Sequence, residues 1–212
     1  MAPLRERLAT LEASEEKNRV LHERMLFASA SSGDSEGVLA LLQHTSLPVD
    51  FARIDGVTLL YVASSCGHLG VVEELLDQGA AVDKACANGG DTPLNTAAEN
   101  GHLSVVEALL GKGAAVDKAR TVDGATPLYY ASQNGHLGVV EALLGKGAEV
   151  DKACTDGVTP LYAAAHNGHY GIVEALLDKG AEGPGMQTPL QAAIHNGHIA
   201  VVELLTRHAS GN

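Results

Sequence analysis

The side chains best suited to chemistry in this sequence are its histidines. His166 and His169 flank Asn-Gly, and His195 and His198 repeat the arrangement. Together they offer four imidazoles, but no Cys stands near them in sequence to complete a tetrahedral zinc set. Cys66 has His68 close by, the pairing that would activate a thiol, yet no third group is evident to orient the imidazole. Gly111-Lys112-Gly113 and Gly145-Lys146-Gly147 look loop-like but lack the G-x-x-x-x-G-K-[ST] spacing that cradles phosphates. No G-x-S-x-G elbow occurs. Carboxylates are plentiful, though regular spacing alone identifies no acid–base pair. Catalysis has little support, and no metal or cofactor is expected.

The elements that would position these groups follow from internal repetition. Gly67-His68, Gly101-His102, Gly135-His136, Gly168-His169 and Gly197-His198 recur at intervals of 34, 34, 33 and 29 residues. Thr92-Pro93-Leu94, Thr126-Pro127-Leu128, Thr159-Pro160-Leu161 and Thr188-Pro189-Leu190 each begin nine residues before such a glycine, and Thr58-Leu59-Leu60 opens a further copy. The Thr is placed to cap a helix, with Pro at the first helical position, where its missing N–H costs nothing. A short helix then runs to a Gly suited to a left-handed terminus. A second helix, of the VVEALL type, ends at Gly79, Gly113, Gly147 or Gly180. A loop carrying Val82-Asp83, Val116-Asp117 or Val150-Asp151 leads to the next copy. One such pair cannot bury its apolar face alone, whereas stacked neighbours do so, with Ala97, Ala98, Ala131, Ala163 and Ala164 permitting close approach.

This pattern resembles the ankyrin repeat, with its Thr-Pro-Leu start, central Gly-His and Leu-Leu-x-x-Gly-Ala finish. The resemblance covers about residues 21–210, and residues 21–50 look like a degenerate first repeat, with LHERMLFASASSGD and SEGVLALLQH as its helices. It implies an all-α repeat solenoid: a stack of helix-turn-helix units with short β-hairpin fingers and a concave, protein-binding groove. The expected divisions are an extension over 1–20, helical or frayed, and repeats near 21–52, 53–86, 87–120, 121–153, 154–182 and 183–212. The resemblance also implies that each Gly-His histidine bonds backbone at its turn, which leaves only His166 and His195 for a metal or a pH-sensitive patch. The family's His after Thr-Pro-Leu is replaced by Tyr61, Asn95, Tyr129, Tyr162 and Gln191, which brings the rigidity between repeats into question. The loop EGPGMQ lacks Val-Asp, so a stunted last finger is expected. The final helix, AVVELLTRHA, keeps an apolar character that a terminal cap would avoid.

Composition agrees with thin layers. Aromatics are 3% of the 212 residues, with no Trp. No run approaches the roughly 20 apolar residues of a membrane span, and the N-terminus has no apolar signal core. Three cysteines without framework spacing argue against a disulfide-stapled module. The expectation is an intracellular protein, cytoplasmic or nuclear. Residues 1–24 balance five basic and five acidic side chains, so the net charge of −12 lies in the body, where nine basic face 21 acidic. That balance repels nucleic acid.

Carried over by motif, the groove comprises finger positions Ile54, Asp55, Val57, Asn88, Asp91, Val122, Asp123, Thr155, Asp156 and Val158. It also takes in the helix-end positions Ser65, Cys66, Glu99, Asn100, Gln133, Asn134, His166, Asn167, His195 and Asn196. Arg53 and Arg120 fall at its margin. Asn before Gly, and Asp before Gly, also favour turns, so Asp91 and Glu99 are the sharper binding candidates. The expected function is a non-catalytic scaffold, monomeric in preference to homo-oligomeric, that binds a basic or polar protein or peptide. The alternatives are a self-associating array, or a substrate for the Asn hydroxylases that act on ankyrin repeats, at Asp83, Asp117 or Asp151.

Overall fold

The computed structural model describes residues 2–45, 47–182 and 188–211. Among them, helices follow one another in pairs: α1 (Ala2–Ser32) with α2 (Ser35–His44), α3 (Leu59–Cys66) with α4 (Leu69–Asp77), and α5 (Pro93–Glu99) with α6 (Leu103–Gly111). Then come α7 (Pro127–Asn134) with α8 (Leu137–Gly145), α9 (Pro160–Asn167) with α10 (Tyr170–Asp178), and α11 (Pro189–His195) with α12 (Ile199–Gly211). The first helices of successive pairs pack in one row and the second helices in another, giving a two-layered stack.

Local chemistry starts and stops each helix where the motifs place it. Thr58, Thr92, Thr126, Thr159 and Thr188 accept the backbone N–H three residues on, with Pro at N1 in the last four. Helices of seven to nine residues are too short to persist alone; burial between layers holds them. Leu59, Leu94 and Leu128 are fully enclosed, as are Val72, Val106, Val140 and Val173, and enclosing a Leu contributes about 2 kcal/mol over leaving it exposed. Ala97, Ala98, Ala131, Ala163 and Ala164 are all buried at the layer contacts.

The repeats are tied by the histidine of Gly-His, which bonds backbone in the preceding repeat and not at its own turn. Its Nε2 donates to a carbonyl 32 to 37 residues earlier: His68 to Ser31, His102 to Ser65, His136 to Glu99, His169 to Gln133 and His198 to His166, all at 2.8–3.0 Å. Each ring lies against the glycine of the repeat before it. A Cβ on Gly101 would stand 2.5 Å from His136 Nδ1. The Val-Asp carboxylates form a second seam. Asp50, Asp83, Asp117 and Asp151 accept the N–H of Ala81, Ala115, Glu149 and Glu182 in the next repeat at 2.9–3.2 Å. Replacement of the histidine after Thr-Pro-Leu therefore leaves the repeats firmly joined.

The fingers are closed turns: the first, Arg53–Val57, the second, Cys86–Asp91, the third, Arg120–Ala125, and the fourth, Cys154–Val158, each held by a backbone bond from its first residue to its last. The described residues contain no strand, only an isolated antiparallel bridge between Ala52 and Thr58, so the hairpin character expected of the fingers is reduced to these turns. Successive fingers are joined by Ala87 N–H to Asp55 O, Thr121 N–H to Gly89 O and Thr155 N–H to Asp123 O, at 2.8–2.9 Å. The expected stunted last finger lies in residues 183–187, outside the described residues. No break falls at residue 20: α1 runs as one helix through the expected extension into the first repeat. In α12, Val201 and Leu205 turn inward, and the exposed large apolar side chains among the described residues of the last repeat are Ile194 and Ile199.

Candidate protein-binding face

The groove expected from the sequence draws on the finger tips and the C-terminal ends of the odd-numbered helices, and the structure sorts its residues by exposure. Ile54, Asn88, Val122, Thr155 and Asp156 are exposed at the tips, with Ile54 as open as in an extended chain and Val122 at 61%. Cys66, Asn100, Asn134, His166, Asn167, His195 and Asn196 are exposed at the helix ends. Asp55, Val57, Ser65, Glu99, Gln133, Asp123 and Val158 are half-buried. Val57 and Val158 are thus largely spent on packing, and the open apolar contacts are Ile54 and Val122.

Asp91 belongs to neither surface group. It is buried, and Arg120 Nε lies 3.2 Å from its Oδ1, close enough for an ion pair although neither atom finds an aligned hydrogen bond. Burial raises its pKa, and the attraction of Arg120 only partly offsets this. The carboxylate singled out by sequence for partner contact is therefore committed internally. Arg120 also bonds the Tyr130 hydroxyl, sits 3.9 Å from Asp123, and lies over the Tyr130 ring at 5.5 Å. Burial opposes the guanidinium charge, but the Tyr130 bond and the carboxylates of Asp91 and Asp123 outweigh it and raise its pKa.

Local turns account for much of the repeated Asp and Asn. Asp55, Asp123 and Asp156 each accept the N–H two residues on, at 3.0–3.2 Å, which closes an Asx turn. Asn100, Asn167 and Asn196 donate to the carbonyl four residues back in their own helices. Asn134 instead reaches Glu99 O in the neighbouring repeat at 3.0 Å. His166 and His195 line a common hollow with Tyr162 and Gln191, and among the described residues no three His, Cys, Asp or Glu side chains gather to hold a metal.

Two features of this face escaped the motif reading. The residues after Thr-Pro-Leu place Tyr61, Tyr129 and Tyr162 along it, half-buried; their recurrence at one repeat position was the available signal. Burial, then the negative surroundings of Cys154, Asp156 and Asp123, push the Tyr129 phenol up to about 12. The second feature is a cleft of about 780 Å³ between Glu16, Arg19, Val20 and Glu23 of α1 and the first finger with Phe51, Arg53 and Ile54. Only the continuity of α1 creates it, and nothing in the repeat motif announces that continuity.

The cysteines differ sharply. Cys66 is exposed and Cys86 buried, and burial with Asp156 and Asp123 pushes the Cys154 thiol up to about 12. At pH 8 such a thiol holds about a thousandth of the thiolate of an ordinary one. Ellman's reagent at pH 8 is expected to titrate one thiol quickly and the other two at least about a hundredfold more slowly. Cys66→Ser removes the fast phase; survival of that phase would refute the assignment.

Known proteins share this architecture. A family model described as ankyrin repeats (3 copies) matches residues 25–120, 80–154, 113–185 and 146–212. The structure is similar to the human ASB11 ankyrin repeat domain, with a TM-score of 0.78 and 30% identity over 86% of this chain and 82% of that one. A search of curated protein sequences finds no match. Ankyrin repeats are in general protein–protein interaction modules, and their fold is typically non-catalytic. Among the described residues no helix is long and apolar enough to cross a membrane. Matched by the family model over nearly its whole length, and in three dimensions by a solved ankyrin domain, the chain belongs to the ankyrin-repeat family.

Proposed function

We propose that the face formed by the finger tips and the odd-helix ends binds a partner protein or peptide, basic or polar, and that the chain catalyses nothing. The observation that carries this reading is Ile54: an isoleucine wholly exposed on a turn whose backbone is bonded to the next finger. A rigid, exposed apolar tip contributes nothing to the fold and loses little entropy when a partner covers it. Around it, the tip residues Asn88, Val122 and Thr155 and the helix-end residues Ser65, Glu99, Gln133, His166 and His195 vary from repeat to repeat on a constant scaffold. The net charge of −12 favours a basic partner, with attraction acting mainly on the association rate.

A photo-crosslinking residue at Asn134, on this face, is expected to capture a partner in cells of the source organism. The same residue at Glu107, exposed on the outer helix α6, is expected to capture none. The association rate of the purified pair should fall as salt rises. Equal capture from both positions would refute the assignment of the face, and a salt-independent rate would refute the electrostatic part.

A further inference from the structure

We propose that the open end of the finger row, with the cleft beside it, takes an extended segment of the bound partner that carries an apolar side chain between basic residues. This assignment rests on the binding face just described and gives it one occupant. It starts from a backbone donor that the repetition leaves over. The second residue of each later finger gives its N–H to a carbonyl of the finger before: Ala87 to Asp55, Thr121 to Gly89 and Thr155 to Asp123, at 2.8–2.9 Å. Ile54 is the second residue of the first finger. No finger precedes it, and among the described residues its N–H has no acceptor. A donor that three other fingers place on a neighbour's carbonyl is thus unpaired at the end of the row, as on an edge strand.

Beside the first finger lies the cleft of about 780 Å³ whose other wall is α1. Val20, Phe51 and Ile54 supply its bulky apolar surface; Val20 is 43% exposed and Ile54 fully so. The walls are held from within, so little order is lost when a partner enters. Phe51 packs edge-on against Phe27, with ring centres 6.2 Å apart. Arg53 is held by Asp55 at 3.1 Å and lies 5.8 Å from the centre of the Phe27 ring. Arg19 is held by Glu16 and Glu23, at 2.9 and 3.6 Å. The three carboxylates of the cleft therefore outnumber its two arginines, both already paired, and the excess negative charge suits Lys or Arg on the incoming segment. A main-chain carbonyl of that segment repeats on Ile54 the bond that Asp55 O makes with Ala87, and the side chain next to it fills the space between Ile54, Val20 and Phe51. Where a peptide adds to a backbone edge in this way, the main-chain bonds give affinity and the pocket gives specificity. Val122, exposed on the third finger, lacks this combination, because that finger is bonded on both sides through Thr121 and Thr155.

The test titrates the isotope-labelled full chain with the peptide acetyl-Lys-Val-Leu-Val-Lys-amide and follows the backbone amides by NMR. The Ile54 amide proton is expected to move downfield, while those of Thr121 and Thr155, already bonded, stay in place. Gly56 N–H closes a turn on Arg53 O at 2.8 Å with Ile54 at its second position, where proline is favoured. Ile54→Pro thus removes the unpaired N–H without breaking a bond inside the fold, and Ile54→Ala removes only the side chain. Ile54→Ala is expected to weaken binding about tenfold, and Ile54→Pro at least about threefold more. Val20→Asn, on the α1 wall, should weaken it at least about fivefold, and Val122→Asn, outside the cleft, should stay within about twofold. Circular dichroism shows the fold retained in each variant. Absence of peptide binding, equal affinities of Ile54→Ala and Ile54→Pro, or equal effects of Val20→Asn and Val122→Asn would overturn the proposal. So would a dimer of the chain alone, seen by light scattering and dissolved by Ile54→Pro, which would place a second copy at this edge. None of these results touches the wider face, which stands or falls on capture from Asn134 against Glu107.

Discussion

Gly101→Ala is expected to destabilise the stack by about 3 kcal/mol, and Gly113→Ala in the same repeat by only about 1 kcal/mol. Both glycines have positive φ, +75° and +85°, so each substitution forces an L-residue into the left-handed region. They differ in what surrounds them. A Cβ on Gly113 meets nothing within 4 Å, whereas one on Gly101 meets the His136 ring at 2.5–2.8 Å. To admit the methyl group, the ring must leave the position from which Nε2 bonds Glu99 O at 3.0 Å. Loss of that bond and of the ring's packing adds about 2 kcal/mol to the backbone term. Gly197→Ala is a second control, since that glycine, at φ +74°, has no histidine of another repeat packed on it and nothing within 4 Å. Equilibrium urea unfolding followed by far-ultraviolet circular dichroism measures all three. Equal losses would show that the histidine contact contributes nothing beyond the backbone strain.

The same contact shows where the sequence was informative and where it was silent. Helix limits were legible because they depend on neighbours along the chain: Thr caps, Pro follows, Gly ends, and α2 coincides with the segment SEGVLALLQH. Partners across repeats were not, because identical letters at a fixed period do not reveal which copy they touch. Gly-His looks like a turn signal within one repeat, yet its bonds run from one repeat to the previous one. Asp91 was misplaced for a related reason. An acid before Thr-Pro looks like a surface group until Arg120, some thirty residues on, folds over it. Asp55, Asp123 and Asp156 were legible as turn formers from the following Gly, and the structure adds the backbone N–H that each accepts. Tyr61, Tyr129 and Tyr162 were visible as departures from the family histidine, but their shared face emerges only when the repeats are stacked.

Arg120→Leu is expected to cost about 3 kcal/mol at pH 7, because it removes the cation from a buried carboxylate while keeping the apolar bulk. Asp91, only 9% exposed beside Arg120, would then have no basic partner, and the Tyr130 hydroxyl would keep only its 3.3 Å bond to Asp123. The loss must depend on pH in one direction. Burial already raises the pKa of Asp91 in the folded protein, and Arg120 is the group that holds it down. Without Arg120 the folded value climbs further above that of the unfolded chain. A carboxyl raised in this way favours folding while it is protonated and loses that advantage as pH rises through its folded pKa. The difference between Arg120→Leu and wild type should therefore be small in acid and widen as pH rises above the ordinary carboxylate range. Asp91→Asn added to Arg120→Leu should recover most of the loss at pH 7, since a neutral amide needs no counter-charge. Asp91→Asn alone should change stability by no more than about 1 kcal/mol, the burial cost removed offsetting the attraction lost. Urea unfolding of the four proteins across this pH range tests the cycle. A pH-independent loss, or no rescue by Asp91→Asn, would mean that Arg120 acts through its packing on Tyr130 and not through the Asp91 charge.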